Sequence, residues 1–338
     1  LAFESDLLEY EDIFDGSHVI EAKVNQLVAD ARAEMDRVQA MGGAIAAVES
    51  GYMKQALVSS HAARRARIES GRDIVVGVNK FETTEPSPLT SDLDAAIQVA
   101  DPEAEKSAIQ SLNEWKAHRD EARLATALQQ LAADAKSDKN LMEATLAAAR
   151  AGATTGEWAG VLREGFGEFR APTGVAGAVS AVDAGAELTA VRDRVKQTGE
   201  DLGGRLRLLV GKPGLDGHSN GAEQVAVRAR DVGFEVIYQG IRLTPEQIVA
   251  AAVAEDVHCV GVSILSGSHM ELVPEVLAEM KSAGIDDIPV IVGGIIPASD
   301  AVALKAMGVA EVFTPKDFSL TEAMAHIVEA IRRANDLD

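Results

Sequence analysis

The sequence has 338 residues, 47% of them hydrophobic and 4% aromatic, with a formal net charge of −21 and a single cysteine, Cys259. That is enough apolar residue for a sizeable core and enough length for about two domains. The acidic balance speaks against nucleic acid and anionic membrane as partners, one cysteine excludes an internal disulfide framework, and no apolar run reaches the roughly 18 residues of a membrane span. The opening LAFESDLLEYEDIF lacks the basic-then-apolar layout of a signal peptide, so a cytoplasmic setting is expected. The chain begins with Leu1 in place of Met, and a processed or truncated piece of a longer protein is the expectation.

Two helices are expected between Val19 and Glu69, broken at Met41-Gly42-Gly43. The first carries Ile20, Val24, Leu27, Val28 and Ala31 at three- and four-residue steps, which makes one apolar stripe. Ile74 to Asn79 reads as a short buried strand, and Glu82 to Thr90, with two prolines, as extended loop. From Pro102 to Ala151 the composition is helix-forming, with Leu112 and Trp115, and Leu124 and Leu128, spaced as buried faces. Gly165 to Gly185 reads as a wrapping linker. Asp201-Leu202-Gly203-Gly204 punctuates the chain, and a domain boundary is expected there. Residues 1–203 then form a mostly helical linker region and residues 204–338 a second domain.

After Gly204 the pattern changes. Short apolar runs beginning at Arg205, Phe234, Val257, Ile288 and Ala310 alternate with helical stretches, the last from Leu320 to Ala334. Apolar runs without strict alternation mark strands buried on both faces. The reading is an α/β fold: a flavodoxin-like, doubly wound, five-stranded parallel sheet of order 2-1-3-4-5. In such sheets a ligand binds beyond the carboxyl ends of the strands, where strands one and three diverge. Strand one runs into KPGLDGHSNG (212–221) and strand three into SILSGSH (263–269).

Three chemistries suit that crevice. A phosphoacceptor needs a carboxylate at the end of strand three, where this chain has Ser263. A flavin site uses stacking aromatics, and neither loop has one. A metal-centred cofactor needs a ligand with an orienting partner. Asp216-Gly217-His218 supplies both, because a metal-bound imidazole usually donates its other ring N–H to a carboxylate. Lys212 can pair with Asp216 in turn, and Gly221 lets backbone approach a bulky ligand. One histidine is too few for a protein-only metal site but suffices when a macrocycle supplies the remaining ligands. A lone loop histidine is ordinarily a surface residue, and the spacing Asp-x-His-x-x-Gly after strand one outweighs that prior.

The ordered set Asp216-x-His218-x-x-Gly221, Ser263-x-Leu265 and Gly293-Gly294 resembles the signature of base-off, His-on cobalamin domains. The resemblance implies that His218 is the cobalt ligand. It further implies that Lys212, Asp216, Gly217 and Gly221 surround that loop, and that Ser263, Leu265, Gly293, Gly294 and Thr314 line a slot for the displaced nucleotide arm. MGGAIAAVESGY (41–52), ARRARIESGRDIVVGVNKF (63–81) and VLREGFGEFRAPTG (161–174) resemble the segment joining barrel and cobalamin domain in the adenosylcobalamin-dependent acyl-CoA mutases. KPGLDGHSNGAEQ and SILSGSHMELVPEV are most similar to the ethylmalonyl-CoA branch. Adenosylcobalamin as cofactor, radical rearrangement of ethylmalonyl-CoA to methylsuccinyl-CoA, and a homodimer in the full-length enzyme are what the resemblance implies. The departure is the absent substrate barrel. The acyl-CoA site would lie in that barrel, no catalytic residue is assigned here, and the chain alone is expected to be inactive. A methylmalonyl-CoA mutase-type isomerase and a stand-alone cobalamin carrier or sensor are the alternatives.

Among the other residues, His269 is placed in the loop after strand three, near the corrin edge or at the surface. His258 and Cys259 are expected in the core of strand three, and Met270 and Met280 as packing. Arg64, Arg65, Arg67 and Arg72 read as a solvated face or an interdomain salt bridge sooner than as a ligand site.

Overall fold

A computed structural model of the chain describes residues 4–83, 101–168, 172–173, 185–314 and 319–337. The chain divides into two compact units, Leu1–Lys80 with Ala171–Asp338, and Phe81–Arg170.

In the first unit, α1 (His18–Ala40), α2 (Ala44–Glu49) and α3 (Tyr52–Glu69) open the chain. Ser17 caps α1 by accepting from the Ile20 N–H. The expected helix from Ala44 to Glu69 is two helices, because Gly51 takes a left-handed conformation at φ +75°. The apolar stripe of α1 is present but unburied. Ile20, Val24, Leu27 and Val28 are all exposed, and α1 buries no residue. The expected buried strand at Ile74–Asn79 is not formed. Val76 makes only an isolated bridge with Lys80, and Ile74, Val76 and Val78 are exposed. The segment is a turn knotted by Asn79. Its Oδ1 accepts from the Val75 N–H, and its Nδ2 donates to the Ile68 and Asp73 carbonyls. A side chain that satisfies its own local backbone removes the need for a strand partner.

In the second unit, α4 (Pro102–His118) precedes α5 (Glu121–Asp134), which packs on α6 (Met142–Arg150) and α7 (Thr155–Phe166). Thr154 and Glu157 form a capping box at α7. Arg119 grips Glu157 with both terminal nitrogens, each at 2.7 Å. Leu124 is buried as expected, and Leu128 partly so. Leu112 and Trp115 are exposed, contrary to the spacing. The Trp115 indole N–H is still satisfied, by the Gly152 carbonyl at 3.1 Å. The loop expected at Glu82 to Thr90 and the linker expected at Gly165 to Gly185 fall largely outside the described residues.

The remainder of the first unit is α8 (Ala186–Asp201) followed by β1 (Arg207–Gly211), α9 (Asn220–Asp231), β2 (Glu235–Tyr238), α10 (Pro245–Ala254), β3 (Cys259–Ile264), α11 (His269–Ser282), β4 (Val290–Gly294), α12 (Ala298–Ala306), β5 (Glu311–Phe313) and α13 (Leu320–Ala334). All neighbouring strands are parallel, in the order β2-β1-β3-β4-β5. One face packs on α8, α9 and α13 through Leu208, Val210, Ile291, Ala226 and Met324. The other packs on α10, α11 and α12 through Leu209, Val260, Val262, Val292, Ile248 and Val276. Burial on both faces explains why the strands lack a polar alternation. Val58 of α3 joins the first of these cores.

Candidate cofactor site

Alternation along the strands places Leu208 and Val210, Gly261 and Ser263, and Ile291 and Gly293 on the face toward α9 and α13. Three of these six positions carry very small side chains. The face is therefore hollowed at the carboxyl ends of β3 and β4, and a cavity of about 490 Å³ runs between the sheet, α9 and α13. Ser263, Leu265, Gly293, Gly294, Thr314 and Gly221 all line it, so the sequence-predicted slot residues come together. The two glycines differ in what they permit. A Cβ on Gly294 would fall 1.7 Å from the Ile264 carbonyl oxygen, so its smallness serves strand packing. A Cβ on Gly293 would meet nothing nearer than 4.0 Å, so its smallness leaves the slot open.

The loop after β1 stands at one end of this cavity. Gly214 turns it at φ +78°, and the Gly214 N–H donates to the Leu243 carbonyl at 2.9 Å. Asp216 is the hub. Its Oδ1 accepts from the His218 backbone N–H at 2.9 Å and pairs with His218 Nδ1 at 2.8 Å. Its Oδ2 accepts from Lys212 Nζ at 2.8 Å and from the Leu265 N–H at 3.0 Å. Lys212 also donates to the Ser263 carbonyl at 3.0 Å. The Lys212 and Asp216 side chains are each 1% exposed. Burial would raise the Asp216 pKa, but Lys212, the His218 N–H and ring, and the Leu265 N–H outweigh it and hold the carboxyl far below the usual range. An ionised Asp216 can only accept, so Nδ1 is the donor in this pair and Nε2 is the ring nitrogen left pointing away from it.

His218 itself is 76% exposed and does not line the slot; Asn220 and Gly221, which follow it in the chain, do. Around it the edge of the sheet is unusually apolar for a surface. Leu215 in the same loop is 92% exposed, and Leu265 and Ile295, after β3 and β4, are exposed too. Gly217 keeps its place between Asp216 and His218, with only the Arg242 guanidinium within 4 Å of where a Cβ would stand. Lys54 of α3 reaches Ser219 Oγ at 2.8 Å and Glu223 at 2.6 Å, tying the histidine loop to α3.

Two sequence expectations need correction. His269 is neither in a loop nor at the surface. It is the first residue of α11, 3% exposed, and pairs through Nε2 with Asp300 at 2.8 Å. His258 precedes β3 and is partly exposed, with Nδ1 accepting from the Arg207 N–H; Cys259 is fully buried as expected. The sequence reading missed Gly261 and Arg65, both on the slot wall. A glycine inside a strand was the available signal for the first. Arg65 carried a signal, the basic cluster of Arg64, Arg65, Arg67 and Arg72, which the sequence reading assigned to a solvated face or salt bridge.

A larger cleft, about 740 Å³, lies at the opposite edge of the sheet around Gly204 and Gly233. Its Arg192 and Arg205 are spent on the Asp231 and Gly233 carbonyls.

The family model described as B12 binding domain matches residues 206–330, and the model described as Methylmalonyl-CoA mutase matches residues 1–168. Ethylmalonyl-CoA mutase of Cereibacter sphaeroides is 57% identical over 98% of this chain and 50% of its own length. The chain belongs to the cobalamin-dependent acyl-CoA mutase family. Ethylmalonyl-CoA mutase of Methylorubrum extorquens is 53% identical over 99% of the chain and 48% of its own. The methylmalonyl-CoA mutase of Cereibacter sphaeroides is 36% identical over 98% and 46%. The chain thus spans about half the length of the curated mutases it matches. The B12-binding match and these relatives indicate adenosylcobalamin as the cofactor.

Proposed function

We propose that this chain is the cofactor-holding part of an isomerase that converts ethylmalonyl-CoA to methylsuccinyl-CoA, with cobalamin bound base-off and His218 as the lower axial ligand. The observation that carries the reading is the pairing of His218 Nδ1 with a buried, ionised Asp216 beside an open slot. The higher identity to the two ethylmalonyl-CoA mutases than to the methylmalonyl enzyme favours that substrate.

Bound adenosylcobalamin supplies the radical chemistry of a carbon-skeleton rearrangement. The chain's own residues hold and tune it. Asp216 fixes the imidazole tautomer and increases its donor strength. Lys212 keeps Asp216 ionised, and its bond to the Ser263 carbonyl locks the loop after β1 to β3. The slot between sheet, α9 and α13 takes the displaced nucleotide arm, with Ser263, Leu265, Gly293, Gly294 and Thr314 as its walls. Substrate recognition, dimer formation and a cytoplasmic setting belong to the same proposal. On this reading the 338-residue chain binds cofactor without turning over acyl-CoA. Among the described residues no helix is long and apolar enough to cross a membrane.

The test is an absorbance titration of the chain with hydroxocobalamin, against His218→Ala. Loss of the ligand and of its oriented partner should weaken binding by about 10- to 100-fold. Equal affinity and equal spectra for the two proteins would contradict the assignment.

A further inference from the structure

Arg65 is the only charged side chain among the described residues that line the slot. It comes from α3, inside the residues that match the mutase family model and far outside the 206–330 match to the B12-binding domain. Its guanidinium is held in place. Nε donates to Glu69 Oε1 at 2.9 Å, one helical turn on. Glu69 Oε2 accepts in turn from Arg228 Nη2 of α9 at 2.6 Å, and Arg228 Nη1 lies 3.4 Å from Thr321 Oγ1 of α13. The two helices that wall the slot are thus joined to α3 through one carboxylate. Gln224 of α9, also on the slot wall, donates to the Val58 carbonyl of α3 at 3.5 Å.

Most of the rest of the wall is apolar or small, with Leu208, Val210, Gly261, Ile291, Phe313 and Met324 as its main body, and its other polar residues, Asn220, Gln224, Ser263 and Thr314, carry no charge. A nucleotide arm of cobalamin carries a phosphodiester, one full negative charge. Placing that charge against such a wall is costly unless a cation donates hydrogen bonds to it. Arginine is the side chain best suited, because its planar fork matches phosphate oxygens.

We infer that Arg65 binds the phosphodiester of the cofactor's nucleotide arm, so that helix α3 completes the cobalamin site from outside the cobalamin-binding domain. This rests on the cobalamin reading above. The consequence is specific. Arg65 recognises the arm and not the corrin, whereas His218 recognises the metal in either case.

The experiment uses the full chain with two probes, hydroxocobalamin and diaquacobinamide, which lacks the phosphodiester, ribose and base. Affinities are measured by absorbance titration for wild type, Arg65→Ala and Arg65→Gln. Both variants should bind cobalamin about tenfold more weakly, the lower end for a charge-assisted hydrogen bond, and bind cobinamide as wild type does. Added sodium chloride should weaken cobalamin binding more steeply in wild type than in Arg65→Gln. Unchanged cobalamin affinity in both variants, or an equal loss for the two probes, overturns the inference. A wild-type chain that binds neither probe fails the cobalamin reading itself, a separate result.

Discussion

Asp216→Asn removes one charge and almost no volume, and it tests the hub on which the histidine loop is built. In the native chain the carboxylate takes four hydrogen bonds, two on each oxygen. The amide can keep no more than part of these, because its nitrogen only donates while all four partners do so too. Lys212, 1% exposed, is left with the Ser263 carbonyl as a neutral partner. Breaking a buried ion pair from one side costs about 3–5 kcal/mol. The pair lies at the edge of the sheet, so the lower end, about 3 kcal/mol, is expected. Urea unfolding followed by far-ultraviolet circular dichroism reads this as a fall in midpoint at constant slope. Combining Asp216→Leu with Lys212→Met should recover most of the loss, since replacing both partners by apolar groups is often neutral. A single variant within about 0.5 kcal/mol of wild type would refute the claim that the hub is held by charge.

The glycine pair separates packing from ligand space. Gly294→Ala should destabilise the domain by about 3 kcal/mol or more, because its methyl carbon has no room beside the Ile264 carbonyl. Gly293→Ala should fold normally and bind hydroxocobalamin about tenfold more weakly, because its methyl group enters the slot; equal effects of the two on denaturation would contradict this. Cys259, fully buried with its thiol pKa pushed up by burial, should stay unmodified by a thiol reagent until the chain unfolds. In the helical unit, the Arg119 guanidinium beside it holds Glu157 at about 2, down from an ordinary 4.5. Its stabilising effect is therefore fully present above pH 4.5 and lost as the pH falls toward 2. Trp115 and Trp158, the chain's two tryptophans, report that unit's unfolding, and Glu157→Gln should flatten the pH dependence over this window.

The sheet was legible because its information is local. Apolar runs separated by helical periods give strand and helix type, and the handedness of parallel crossovers leaves few orders to choose from. The histidine loop was legible for a similar reason, since Asp216 and His218 sit two residues apart and need no distant partner to be recognised as a pair. Errors arose where the deciding partner is remote or where side chains satisfy local backbone. Asn79 took the hydrogen bonds that Ile74 to Asn79 would otherwise have sought in a sheet. Leu112, Trp115 and the stripe of α1 show that periodicity reports an apolar face and not its burial. His269 was misplaced because its partner, Asp300, lies 31 residues on in α12. Arg65 reaches the slot from α3; the basic cluster around it was visible in the sequence, but the partner that singles out Arg65 is remote.

The most direct test of His218 is paramagnetic resonance of the cobalt(II) form bound to the chain, grown once with natural and once with nitrogen-15 histidine. A nitrogen-14 axial donor splits each cobalt line into three, and a nitrogen-15 donor splits it into two. The account predicts that labelling converts triplets to doublets in wild type. Triplets that persist in the labelled protein would mean that the cofactor's own base, and not the protein, holds the metal.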